Sequence, residues 1–337
     1  MQLVQCPRCG NRLYFENSLC ARCGSVVGYD LAANRFELVG ANGGKLYCAN
    51  ASRGACNWVV PEGSPTTLCL SCRLTEVIPP VDDPRHHRCW VEVEVAKRRL
   101  VYSLWRLGLP VAPRAEAADG LAFRILVDRE HGGVGKVSMG HENGIITIDA
   151  TEADTPERES RRVELQEPFR TLLGHMRHES GHYYWDRLIR TTAWLEAFRE
   201  LFGDERADYA AAMAHHYEQG PPGDWQTRFI SAYATMHPWE DWAETWAHYL
   251  HMIDAVETAS ASGFWSPAPW SGASAGDGGG GDFDKLYGRW QDVLLVMNSM
   301  NRSLGHLDFY PFVVSDAARE KLRFVHRVVT RDGEKPT

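Results

Sequence analysis

The chain has 337 residues, a formal net charge of −8, 44% hydrophobic and 24% charged residues. Those proportions exclude a wholly disordered or fibrous protein, and the length suits about two domains on a ~150-residue prior. No apolar run approaches the ~18–20 residues of a membrane span, and an acidic chain without a dense basic block is a poor non-specific binder of nucleic acid.

The start, MQLVQCPRCG, has no basic stretch leading into an apolar one, so no secretory signal is expected and the expected compartment is the cytoplasm. Cysteine is the unevenly spent residue: eight of nine precede residue 73. Cys6-Pro7-Arg8-Cys9 and Cys20-Ala21-Arg22-Cys23 are C-x-x-C pairs with ten residues between them, each followed by glycine. Such a turn curls two thiolates inward, and glycine after it tolerates the positive φ of a tight corner. Cys48, Cys56, Cys69 and Cys72 make a second set that also ends in C-x-x-C. A disulfide framework would need an oxidising compartment, so both sets read as structural zinc sites. Four cysteine ligands close the metal to substrate, which makes these folding sites rather than catalytic ones. Cys89 is left over as an ordinary thiol.

Residues 1–80 therefore form a zinc-ribbon module, with charge +2, and Pro79–Pro84 reads as a linker into a second domain over 81–337. A helix is predicted over about 91–107, ended by Gly108 and Pro110. Strands follow at 121–127 and 137–149, with Asn143-Gly144 as a hairpin turn in the latter. After Asp149 the chain reads as mostly helical, interrupted over 260–284 by a Gly/Ser/Pro-rich insertion read as flexible. The fold class expected is α+β: one or two zinc ribbons, then a mainly helical domain with a small sheet.

The chemistry concentrates in that second domain, where eight of the fourteen histidines fall between His175 and His251. His178-Glu179-Ser180-Gly181-His182 is H-E-x-x-H, and residues four apart share a helix face, so both histidines can reach one metal. Glu179 can then serve as general base and acid. A third ligand is offered by a helix beginning at Pro238, on which Glu240, Glu244, His248 and His251 fall on one face. Burying such a stripe without a metal or hydrogen-bond partners is costly. Asp186, four residues past His182, is a candidate for orienting a ligand histidine, and His175 for lining the cleft.

H-E-x-x-H followed by Ser231-Ala232-Tyr233 and then EDWAETWAH resembles the gluzincin metallopeptidases, and Tyr233-x6-Glu240-x3-Glu244 is similar to the lethal-factor type. More closely, the chain resembles a bacterial family of zinc-binding metallopeptidases with an N-terminal zinc ribbon. The match runs through CPRCG, FENSLC, CNWVVP, AKRRL, EADTPERE, EPFRTLLGHMRHESGHYYWDRL, PWEDWAETWAHYLH and NRSLGHLDFYPF. The resemblance implies a zincin-like fold, with Glu240 as third zinc ligand and Tyr233 stabilising the oxyanion. Glu244 is implied as a support behind the ligands or an alternative ligand. It also implies that the strand Gly144–Asp149 is a sheet edge that pairs with extended substrate; Arg302 and Tyr310 are weighed for closing the substrate side.

The function expected is zinc-dependent hydrolysis of peptide bonds, with one catalytic zinc and one or two structural ones. Two alternatives stand beside it: an amidohydrolase acting on a non-protein amide, and a binding module whose peptidase-like half is inactive. The partner expected is a peptide or protein substrate, with the ribbon as a possible contact for another protein.

Overall fold

A computed structural model of the chain describes residues 4–40, 45–128, 137, 139–154, 171–263, 281–310 and 313–331. Two compact units result, Met1–Met176 and Arg177–Thr337.

In the first unit the chain turns back on itself at each C-x-x-C. Val4–Gln5 (β1) pairs antiparallel with Arg12–Leu13 (β2), and Gly10 and Gly24 take the positive φ their corners require, at 69° and 66°. The Sγ atoms of Cys6 and Cys23, and of Cys9 and Cys20, lie 3.7 Å apart. A tetrahedron with ~2.3 Å zinc–sulfur bonds has edges of about 3.8 Å, so the four thiols stand at metal-ligand spacing. The hairpin Val27–Asp30 (β3) and Arg35–Leu38 (β4) follows. Gly28 on β3 leaves room for its neighbours: a Cβ there would lie 2.6 Å from Val59 Cγ1, so the Val59, Tyr47 and Val39 side chains would have to shift. The second set also assembles: Cys48, Cys56, Cys69 and Cys72 are all buried, with Cys56 and Cys69 Sγ at 3.7 Å, the last pair set by the short helix Leu70–Arg73 (α1).

Pro84–Arg106 (α2) begins seven residues before the predicted helix. Asp83 caps it by accepting from the Arg85 amide at 2.8 Å, and Pro84 occupies the first turn, where its missing N–H costs nothing. The end of the presumed linker is thus a helix start. Tyr102 of α2 enters the aromatic core of the ribbon, 5.3 Å from Phe15, which in turn meets Tyr29 and Trp58. Arg99 pairs with Glu16 at 2.5 Å. On another face of α2, Lys97 and Glu94, both fully buried, pair at 2.7 Å.

A four-stranded sheet completes this unit, in the order Thr75–Val77 (β5), Ala122–Leu126 (β6), Ile145–Asp149 (β8), Gly140–Glu142 (β7). β5 and β6 are parallel, with α2 lying between them in the chain as the long crossover that parallel pairing requires. β7 and β8 form the hairpin expected from Asn143-Gly144, whose φ values are 49° and 81°. The edge-strand expectation is corrected here. Gly144–Asp149 is not an edge, because β8 pairs with β6 on one side and β7 on the other, and Ile146 and Ile148 are fully buried. Among the described residues, the edges of this sheet are β5 and β7.

The second unit is helical. Its helices are Leu172–Leu188 (α3, from Arg177 on), Leu195–Phe202 (α4), Tyr209–Gln219 (α5), Pro238–Ala261 (α6), Gly281–Ser303 (α7) and Asp316–Thr330 (α8). α6 is the central helix. Its Trp242, Trp246 and Tyr249 are fully buried, with Trp242 against Phe198 and Phe202 of α4 and Phe324 of α8. Lys321 of α8 reaches the buried carboxylate of Asp241 at 2.5 Å and the Arg228 carbonyl at 3.0 Å. The insertion expected over 260–284 is narrower than that: α6 runs to Ala261 and α7 begins at Gly281, so both ends of the range are helical, while residues 264–280 lie outside the described residues. No described helix is long and apolar enough to cross a membrane.

Candidate active site

The histidines of H-E-x-x-H meet a glutamate of α6 because two helices approach closely, and one residue permits the approach. A Cβ at Gly181 would lie 2.9 Å from Ala243 Cα and 3.2 Å from Trp246 Cβ. With hydrogen in its place, α6 packs against α3, and two indoles lock the contact. Trp242 Nε1 donates to the Gly181 carbonyl at 2.9 Å, and Trp246 Nε1 to Ser180 Oγ at 3.1 Å. His237 caps α6 by accepting from the Trp239 amide at 3.1 Å, and Pro238 starts the helix, which sets Glu240 in the first turn.

Three donors then converge. His178 Nε2 lies 3.2 Å from His182 Nε2 and 2.9 Å from Glu240 Oε2, and His182 Nε2 lies 3.4 Å from Glu240 Oε1. A tetrahedral zinc with ~2.0–2.1 Å bonds to nitrogen and oxygen has edges of about 3.4 Å, so these residues fit the ion. All three are buried, with Glu240 only 1% exposed, and with the His178 proton on Nδ1 Glu240 Oε2 has no hydrogen-bond donor among the described residues. A buried carboxylate oxygen without a donor is costly, and a cation relieves that cost.

Glu244, one turn after Glu240, takes a different position. Its Oε1 stands 2.6 Å from His178 Nδ1, and its Oε2 accepts from Ser231 Oγ at 2.6 Å. A proton on Nδ1 shared with Glu244 leaves the Nε2 lone pair of His178 aimed at Glu240 and His182. Without a cation, the same two carboxylates favour a second proton on His178, which a metal at Nε2 would replace. Burial opposes charge on Glu244, but the hydrogen bond from His178 holds its carboxyl down at about 2. Burial likewise opposes charge on Glu240, yet His182 and His178 hold it well below the ordinary carboxylate range. His178, pressed toward neutrality by burial, is lifted well above the ordinary imidazole range by Glu240 and Glu244. Burial raises Glu179, whose shift is the one a proton-transferring carboxyl needs.

Tyr233, in the 3-10 turn Tyr233–Thr235, has its ring 5.9 Å from that of His178, and burial followed by the charge of Glu240 raises its hydroxyl pKa. It therefore stays a donor. Trp239 covers His182, with ring centroids 4.2 Å apart.

Several expected participants lie elsewhere. Asp186 pairs with Arg190 at 3.3 Å on the surface and orients no ligand histidine. His248 is bonded through Nδ1 to Tyr310 OH at 2.5 Å, and His251 pairs with Arg177. Tyr310 is 3% exposed, packed on Trp290 of α7, while Arg302 pairs with Asp308 at 2.6 Å in solvent. His175 faces Glu152, 4.0 Å away. Conversely, sequence reasoning gave no role to Gly181, Ser231 or Tyr209, whose hydroxyl donates to Glu240 Oε1 at 2.9 Å. Ser231 had a signal, standing two residues before Tyr233; Tyr209, thirty-one residues before Glu240, had none.

Among known proteins, residues 86–328 match the model of a family described as "Putative zinc-binding metallo-peptidase", and residues 3–83 match a zinc-ribbon domain. Uncharacterized proteins of Mycobacterium bovis and of two strains of Mycobacterium tuberculosis are 45% identical over 337 residues, spanning 98% of this chain and 95% of theirs. No solved structure matches.

Proposed function

Because this chain belongs to the zinc-binding metallo-peptidase family, we propose that it hydrolyses peptide bonds at a zinc held by His178, His182 and Glu240. The observation that carries this reading is the burial of those three donors at metal-ligand spacing, with Glu179 next to His178 on the same helix. When bound there, zinc supplies Lewis acidity to the substrate carbonyl and to water, drawing the water's pKa toward ~7.

The protein groups do the rest. Glu179 takes the proton of the attacking water and returns it to the departing amine nitrogen. Tyr233 donates to the carbonyl oxygen as negative charge grows on it. Glu244, itself held by Ser231, keeps the proton of His178 on Nδ1. One C–N bond breaks, one C–O bond forms, and the consumed water is divided between the acid and amine products. Residues 1–80 serve as the ribbon module and 81–337 as the peptidase domain. Eight cysteines at zinc-ligand spacing suit a reducing compartment, the cytoplasm.

Digestion of an unbiased peptide library by wild type and Glu179→Gln tests the reading. Cleavage by the wild type and none by the variant, with equal zinc content, is the expected result. A zinc-loaded wild type that cleaves no peptide overturns it, in favour of a non-protein amide or of a binding role.

A further inference from the structure

Tyr209 opens α5, an eleven-residue helix in which no residue is buried. A helix with so little burial is not placed by a core of its own. Asp208 caps it, accepting from the Ala211 amide at 3.0 Å. The Tyr209 ring packs edge-on against His237 and Trp239, at 5.2 and 6.2 Å, and further along His216 meets the ring of Tyr233 at 5.9 Å. The hydroxyl of Tyr209 donates to Oε1 of Glu240 and also lies in hydrogen-bonding reach of Tyr233.

That choice of atom matters, because the two oxygens of Glu240 are not equivalent. Oε1 carries the tyrosine hydrogen bond and is the oxygen facing His182, 3.4 Å from its Nε2. Oε2 lies 2.9 Å from His178 Nε2 and has no other hydrogen-bond donor among the described residues. A carboxylate free to rotate can close on a metal with both oxygens and fill a position that water or substrate needs. A donor fixed on one oxygen restrains that rotation.

We propose that Tyr209 is a positioning residue of the metal centre, its hydroxyl on Oε1 fixing the rotation of the Glu240 carboxylate that faces Nε2 of both His178 and His182. The inference rests on the reading of those three residues as the metal site. Helix α5 is then the outer support of the site, although none of its own residues is buried.

Tyr209→Phe tests this in the full chain, since the ring is one-third exposed and keeps its packing while the hydroxyl is lost. The ribbon sites are left zinc-loaded, and the remaining chelator-labile metal is measured by competition with zinc and by its absorption after exchange for cobalt(II). The variant is expected to bind zinc 10- to 100-fold more weakly, and its cobalt bands are expected to weaken toward a five-coordinate pattern. Wild-type zinc affinity with a wild-type cobalt spectrum overturns the inference. His182→Ala separates the two readings. If it retains the labile metal, the metal-site reading itself falls; if it loses the metal while Tyr209→Phe is silent, only the role of Tyr209 falls. Neither measurement depends on peptide cleavage.

Discussion

Gly181→Ala places the helix contact that builds the site under direct test. The new methyl would stand 2.9 Å from Ala243 Cα and 3.2 Å from Trp246 Cβ and Cδ1. The first of these is backbone and has no rotamer to yield, so α3 and α6 must separate by about 0.5–1 Å to restore ordinary contact. Overpacking of this kind costs about 1–3 kcal/mol. Alanine returns about 1 kcal/mol through helix propensity, leaving a net loss of roughly 0–2 kcal/mol, which a folded protein tolerates. The metal donors tolerate less, since they sit on both helices at 2.9–3.4 Å from one another, and a functional constellation is held to within about 0.5 Å. Zinc affinity at the labile site should therefore fall by at least 10-fold, or about 1.4 kcal/mol. Gly288→Ala is the control, because it lies in α7 with nothing within 4 Å of its would-be Cβ and should stabilise by about 0.4–1 kcal/mol. Urea melts and zinc competition read both variants. If Gly181→Ala gains stability like Gly288→Ala and keeps wild-type zinc affinity, the close approach of the two helices does not set the site.

Glu240 and Glu244 should separate by degree. Glu240→Ala is expected to lose the labile zinc, whereas Glu244→Ala should weaken it 10- to 100-fold by releasing His178 Nδ1; the reverse order in chelator competition would exchange their roles. His248 should make stability depend on pH. Burial excludes its charge and lowers its pKa to about 4, against partial relief by Glu244 and an added push from His178, with Tyr310 OH bonded to Nδ1. The folded state thus refuses a proton that the unfolded chain accepts below about 6.5, so this contribution is complete above pH 6.5 and is lost on acidification toward 4. Between pH 6.5 and 5 that is about 2 kcal/mol, and urea midpoints of His248→Gln should fall less steeply over the same range. An unchanged slope would show that His248 is not the group responsible.

Much of the fold was legible where local chemistry decides it. The cysteine sets assemble as their spacing implies, because a C-x-x-C turn presents two thiols whatever surrounds it, and Asn143-Gly144 forms its hairpin because both residues accept positive φ. The start of α2 was also in the sequence, as Asp83 and Pro84, but a Pro-rich stretch reads as linker until its last proline is recognised as a first-turn residue. Strand order was not legible. Whether β8 is an edge depends on β6 arriving beside it after the α2 crossover, and no feature within Gly144–Asp149 records that pairing.

The candidate site divides along a similar line, for a geometric reason. Spacing in sequence fixes the azimuth of a residue on its helix, but the 1.5 Å rise per residue fixes where along the axis it acts. His178 and His182 differ by one turn and meet. Asp186 lies another turn on, about 80° around from His178 at 100° per residue, and finds Arg190 instead. On α6 the stripe Glu240, Glu244, His248, His251 shares a face, yet His248 and His251 lie about 12 and 16 Å along the axis from Glu240. They are taken by Tyr310 and Arg177. A helical stripe therefore names candidates, and only about its first two turns can serve one ion. The remaining positions are decided by the partner helix, whose approach depends on a glycine lacking a Cβ and on indole donors sixty or more residues away.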